Sequence, residues 1–183
     1  MTVFNGKLYV GTTGATAQVW MTDGSPQLPS TVYLAEGSTD WGYSAYISIE
    51  NPNTSSATVK LTYQTRSGPV AGPQFSMAPQ SQATVNPAET VGSTDFSTKV
   101  ECLEGKTISA DRTMTWVGPG APCEEAHNSV GVSGPAKTWY LPEGSSNWGF
   151  ETWTLVQNPG NTKANVTLTY MICLLYTSPS PRD

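Results

Sequence analysis

Histidine is the first place to look for catalysis in this sequence, because a single residue, His127, could act as a general base at neutral pH. A serine or cysteine nucleophile needs such a base beside it. Asn128 and Ser129 follow His127 and offer a hydroxyl, but adjacent residues on a strand point to opposite faces. We therefore interpret His127 as a polar loop residue.

Carboxylates are the second candidates. A glycosidase holds two of them about 5 to 9.5 Å apart across the sugar, and Glu36, Glu143, Asp40 and Asp111 are available. Glu36 and Glu143, however, occupy equivalent positions of an internal repeat, which favours a structural role. No CxxC, HxH or HExxH spacing for a metal is present. The sequence predicts no catalytic residue, no metal and no cofactor, and so no enzyme.

Arg112 is the most informative charged residue. It falls on the apolar face of a predicted strand, with Ile108, Ala110, Met114 and Trp116. A buried and unpaired charge costs several kcal/mol, so we predict a carboxylate partner, either Glu36 or Glu143. The alternative is an edge position at which the guanidinium reaches water.

Two cysteines, Cys102 and Cys123, fall within one predicted domain. In an extracellular domain such a pair predicts a disulfide, which would stabilise the fold by about 3 kcal/mol. The alternative is two unpaired thiols, since sequence alone does not set the geometry.

Aromatic residues form the last group with binding chemistry. Those that we predict as a flat platform for sugar rings are Trp41, Tyr46, Trp148 and Trp153. The alternative is packing in the core and between domains, because tryptophans are highly buried on average. Exposure of two or three aromatics in a row would favour the platform. Full burial of Trp41, Tyr46 and Trp116 would instead favour a structural spacer.

An internal repeat sets the architecture that must position these residues. The block from Tyr33 to Tyr43 (YLAEGSTDWGY) matches the block from Tyr140 to Phe150 (YLPEGSSNWGF) at an offset of 107. Fourteen of the 32 positions from Val32 to Tyr63 are identical in the second copy. This period exceeds that of solenoid repeats and equals the size of an immunoglobulin-like domain, about 100 residues.

Short strands fill the first copy. Alternating apolar positions recur in segments such as Tyr43 to Ile49 and Val59 to Tyr63, and Gly, Pro and Asn clusters separate them. We predict an all-β fold: an immunoglobulin-like antiparallel β-sandwich in residues 30–137, a truncated second copy in residues 138–172, and an N-terminal β-hairpin with a linker in residues 1–29.

Two resemblances follow from these motifs. The repeat resembles the tandem WYLAEGST…GF…NP…VTY units of bacterial secreted and cell-surface proteins, whose function is unassigned. The strands NGKLYVGT and VWMTDG, from Asn5 to Gly24, resemble part of a blade of a kelch-like β-propeller. They imply an extracellular fragment that follows the tail of a propeller. The segment CLLYTSPSPRD, residues 173–183, resembles a translated sequencing adapter and is expected to be disordered.

Composition limits the partners. Only 13% of the residues are charged, the net charge is −5 and the lysines and arginines are scattered, which argues against nucleic acid. No apolar run approaches the roughly 20 residues of a membrane span. We predict a non-catalytic structural or adhesive repeat, secreted or at the cell surface. Its expected partners are neighbouring repeats and surface glycans or proteins. The alternative is a carbohydrate-binding module of a secreted hydrolase that contains a propeller.

Overall fold

The computed structural model describes residues 2–4, 7–11, 19–21, 29–118 and 122–171. In the N-terminal region three strands, β1 (Thr2–Phe4), β2 (Lys7–Gly11) and β3 (Val19–Met21), form an antiparallel sheet in the order β1-β2-β3. The predicted hairpin corresponds to β2 and β3, and β1 is an additional strand. The expectation for residues 173–183 falls outside the described residues.

A β-sandwich follows. Its strands are β4 (Thr31–Leu34), β5 (Ser44–Asn51), β6 (Ala57–Thr65), β7 (Gly68–Met77), β8 (Ser81–Val85), β9 (Phe96–Cys102), β10 (Ser109–Trp116) and β11 (Glu125–Val130), with one helical turn, α1 (Ala88–Val91), between β8 and β9. One antiparallel sheet has the order β11-β10-β5-β8 and the other β4-β9-β6-β7. The predicted all-β sandwich is confirmed.

The core lies between the two sheets and follows the alternation of the sequence. In β5, β6, β9 and β10 every second residue is buried, as the period of two requires. The buried apolar side chains of β5 and β6 are Ala45, Ile47, Ile49, Ala57, Val59, Leu61 and Tyr63. Val130, which ends β11, and Val132 are exposed at the edge of the sandwich.

The direction of the strands determines at which end of the sandwich the chain enters and leaves. Its eight strands pair only antiparallel and cross the domain alternately in the two directions. An even number of crossings returns the chain to the end at which it entered. Val132 then pairs with Tyr33 of β4 through two backbone hydrogen bonds of 2.9 Å. The chain therefore enters and leaves at one end of the sandwich, and the β4–β5 connection lies at the opposite end.

The second copy differs from the first. Residues 138–171 contain no strand in the structure, and most of their side chains are exposed. Gln157 reaches the first copy, where its amide donates hydrogen bonds to the side chain of Gln64 and the carbonyl of Thr98. The first copy alone is thus a complete sandwich.

Candidate functional site

Arg112 forms the centre of a polar cluster inside the sandwich. It lies on the inward face of β10, opposite Ile47 of β5, and only 1% of it is exposed. Its Nη1 donates a hydrogen bond to Glu36 Oε2 at 2.7 Å and also contacts Met114 Sδ. Glu36 comes from the β4–β5 connection, and 29% of its side chain is exposed. The arginine is therefore buried and paired, as a charge in this position must be.

His127 completes the cluster from the edge strand β11, where it lies opposite Met114. Its Nδ1 is 3.0 Å from Arg112 Nη2 and 4.0 Å from Glu36 Oε2. A guanidinium offers only donors, so Nδ1 accepts and the proton of the neutral ring is on Nε2. Burial, and then the charge of Arg112, lower the pKa of His127, while Glu36 opposes them. The interpretation of His127 as a loop residue is wrong.

This cluster ties three elements of the sandwich together. It joins the β4–β5 connection to β10 and β11, and the hydrogen bond that His127 accepts from Arg112 occupies one of its two ring nitrogens. Within residues 29–118 and 122–171 no group of three or more potential ligands is close enough to bind a metal. No helix in the described part of the chain is long and apolar enough to cross a membrane.

The two glutamates of the repeat are placed differently. Glu36 contacts Arg112, whereas Glu143 is exposed and has no cation within 4 Å among the described residues. Asp40 and Asp111, the other carboxylates considered above, make hydrogen bonds at the surface: Asp40 with Ser93, and Asp111 with Asn128.

The predicted disulfide is wrong. Cys102 ends β9, is buried, and contacts Glu104 through its thiol, whereas Cys123 precedes β11 and is exposed. Only β10 separates them along the chain, and one strand crosses the domain once. Eight residues of strand span about 26 Å, whereas the Cα atoms of a disulfide lie within about 7 Å. Both thiols are free.

The residues of the predicted aromatic platform lie on different elements of the chain. In the first copy Trp41 is 78% exposed in the β4–β5 connection, and Tyr46 is 40% exposed on the outer face of β5. Trp148 and Trp153, their equivalents, are exposed in the second copy. Trp116 is half-buried, with its ring centroid 5.6 Å from that of Tyr43. Trp41 and Tyr46 both reach solvent, but in the first copy they occupy different elements.

The turn that carries Trp41 recurs in the second copy. Trp41 and Gly42 have φ of 59° and 84°, and Trp148 and Gly149 have 55° and 82°. Positive φ at both central residues is the requirement of a type I′ turn. The backbone N–H of each tryptophan donates to the side chain before it at 2.9 Å. We call this the WG turn. It has the same geometry in the first copy, where strands pair into sheets, and in the second copy, which has no strand in the structure.

A groove lies beside Tyr46, between β7 and β8, which are edge strands of different sheets. Its volume is about 570 Å³. The residues that line it are Tyr46, Pro73, Phe75, Ala83, Thr84, Val85, Asn86 and Glu89. Only one of them, Glu89, is charged, and no cation among the described residues lies within 4 Å of its carboxylate. The groove is open to solvent and combines an aromatic ring, apolar side chains and polar groups.

Sequence reasoning missed His127 and the groove for different reasons. His127 becomes visible once β11 is paired with β10, because that register sets it opposite Met114 and next to Arg112. Alternation with Ser129 was the available signal. The groove depends on which strands form the sheet edges, and no local pattern in Phe75 or Glu89 reveals that.

Comparisons with known proteins add little to this geometry. No protein-family model and no curated protein matches the chain. A solved structure, that of Thermotoga maritima 1070, is similar over 58% of this chain and 95% of its own chain, with 14% identity and a TM-score of 0.49.

Proposed function

We propose that the chain is a non-catalytic structural or adhesive repeat of a secreted or cell-surface protein. The observation that carries this proposal is the recurrence of the WG turn, with the same φ angles and hydrogen bonds, at equivalent positions of two copies. A unit repeated along a chain serves a role that each copy performs alike. Its expected partners are neighbouring repeats and molecules at a surface.

The path of the chain supports display by the repeat. Because the chain enters at Thr31 and leaves past Val132 at the same end, the opposite end projects away from the connections to neighbouring units. That distal end carries the exposed indole of Trp41. Gln157 of the second copy contacts Gln64 and Thr98 near that end, but the turn that carries Trp41 stays exposed, as an adhesive unit requires.

Surface display of the full chain tests the proposal. Cells that display it should be retained under flow on a layer of cells or of mucin, and cells that display a Gly/Ser linker of the same length should not. Soluble chain should not turn over chromogenic glycosides, esters or peptides. Turnover of any of these substrates would overturn the proposal, and retention equal to that of the linker would contradict its adhesive part.

A second candidate is the carbohydrate-binding module of a secreted hydrolase that contains a propeller. The observation that favours it is the exposure of Trp41 and Tyr46, since a purely structural repeat has no need of aromatic side chains in solvent. A glycan array probed with the full chain tests this candidate. Binding to a defined set of glycans would support it, and a blank array would contradict it.

A further inference from the structure

We infer that the groove between β7 and β8 is a binding site for a neutral hexopyranoside. This inference rests on the carbohydrate-binding function proposed above and assigns it a place and a ligand class. The groove belongs to the complete first copy, and its volume of about 570 Å³ falls in the range of ligand clefts.

Tyr46 supplies the surface on which a sugar ring would rest. Its side chain points away from the core, because its neighbours Ala45 and Ile47 are buried. The fold therefore does not need an aromatic residue there. The equivalent residue of the second copy is Trp153, also aromatic. An exposed aromatic at this position in both copies fits a ring that contacts the apolar face of a pyranose.

The polar groups of the groove match hydroxyl groups. Asn86 uses its Oδ1 to accept from the backbone N–H of Ala88 at 3.1 Å, and no acceptor among the described residues takes its Nδ2 hydrogens. The Glu89 carboxylate can only accept, whereas the Thr84 hydroxyl, which accepts from Gln82 Nε2 at 3.5 Å, still has its O–H to donate. Sugar hydroxyls satisfy all three groups because they donate and accept as well.

Charge and donor chemistry separate this ligand from a cation. A quaternary ammonium would contact Tyr46 and the Glu89 carboxylate, but it would leave the donors of Asn86 and Thr84 unused. An anionic sugar would meet the carboxylate of Glu89, the only charged residue that lines the groove. A neutral pyranose is the occupant that uses every polar group.

Titration of the full chain with cellopentaose, maltopentaose and mannopentaose, followed by calorimetry and NMR, tests the inference. At least one of them should bind and shift the ring resonances of Tyr46. Tyr46→Ala should weaken binding about tenfold through loss of the ring contact, and Glu89→Gln should weaken it several-fold. Tyr140→Ala is the matched control, because Tyr140 is an exposed tyrosine that does not line the groove, and it should change affinity less than twofold.

Three results would overturn the inference, and each contradicts a different part of it. If Trp41→Ala abolishes binding and Tyr46→Ala does not, carbohydrate binding stands but the site is the WG turn. If no pentasaccharide binds up to about 10 mM and the glycan array is also blank, the proposed carbohydrate function fails with the groove. If tetramethylammonium binds at the groove and the sugars do not, the ligand is a cation.

Discussion

The two copies of the repeat share their turns but not their sheets. Besides the WG turn, the loops that begin at Asn51 and Asn158 form in both. Each asparagine side chain donates to the carbonyl four residues ahead, at 3.0 Å and 2.8 Å, and accepts from the N–H two residues ahead, at 3.1 Å and 3.2 Å. Strands form only in the first copy.

This difference separates local from non-local information in one sequence. An Asx loop or a type I′ turn is closed by hydrogen bonds within about five residues, so the motif forms wherever it occurs. A strand needs partners, and those of β4 and β6 include β9, which lies more than 30 residues away. The second copy has the motifs for the turns and no paired strand in the structure. Side chains of equivalent position should therefore differ in energy wherever their contacts are non-local.

Leu61 and Leu168 should show the largest contrast. Leu61 is fully buried in β6, so Leu61→Ala should lower the free energy of unfolding by about 3 to 4 kcal/mol through lost burial and a cavity. Leu168 is exposed, and Leu168→Ala should change the free energy of unfolding by less than about 0.5 kcal/mol. Urea denaturation of the full chain measures both. Equal losses would mean that the second copy is also packed.

Glu36 and Glu143 come next. Glu36→Ala leaves the buried Arg112 without its carboxylate, and we expect a loss of about 3 kcal/mol, at the low end for a broken buried pair because Glu36 is partly exposed. Glu143→Ala removes an exposed carboxylate and should leave the urea midpoint unchanged. A loss on removing Glu143 instead would place the second copy against Arg112, the other arrangement that the sequence allowed.

Sequence reasoning predicted burial correctly where the residue pattern within a single strand was sufficient. Alternation placed Ile47, Ile49 and Leu61 in the core, and an arginine within an apolar face indicated a paired charge. It failed where the answer depended on how strands are arranged. The number of strands between Cys102 and Cys123 puts these residues at opposite ends, and the pairing of β11 with β10 brings His127 to Arg112.

The titration of His127 reports on the stability of the first copy alone, because the second copy contains no histidine. Burial and Arg112 lower the pKa of His127 in the folded state below the ordinary 6.5. The unfolded chain therefore takes up this proton more readily. Stability contributed by the neutral ring is complete above about pH 6.5 and decreases as the pH falls below it. Glu104 titrates well below this window, since hydrogen bonds from Thr58 lower its pKa to about 2.

Urea midpoints at pH 5.5 and 7.5 measure this dependence, and wild-type chain should have the lower midpoint at the lower pH. His127→Gln keeps an acceptor for Arg112 but cannot titrate, so it should reduce the difference between the two midpoints. An undiminished difference in this variant would assign the pH dependence to other groups. The signals of the single histidine ring in NMR spectra give its pKa directly.

The WG turn gives the smallest expected effect, and here the two copies should behave alike. A left-handed conformation is unfavourable for tryptophan, whereas asparagine tolerates it. Trp41→Asn should therefore be more stable than Trp41→Ala by about 0.5 to 1 kcal/mol, since both lose the same exposed indole and differ in backbone preference. In the second copy the readout is amide exchange at Phe150, whose N–H donates to the carbonyl of Asn147 at 3.1 Å. Trp148→Asn should slow that exchange relative to Trp148→Ala. If asparagine helped only at position 41, the turn would depend on the sandwich around it rather than on its own four residues.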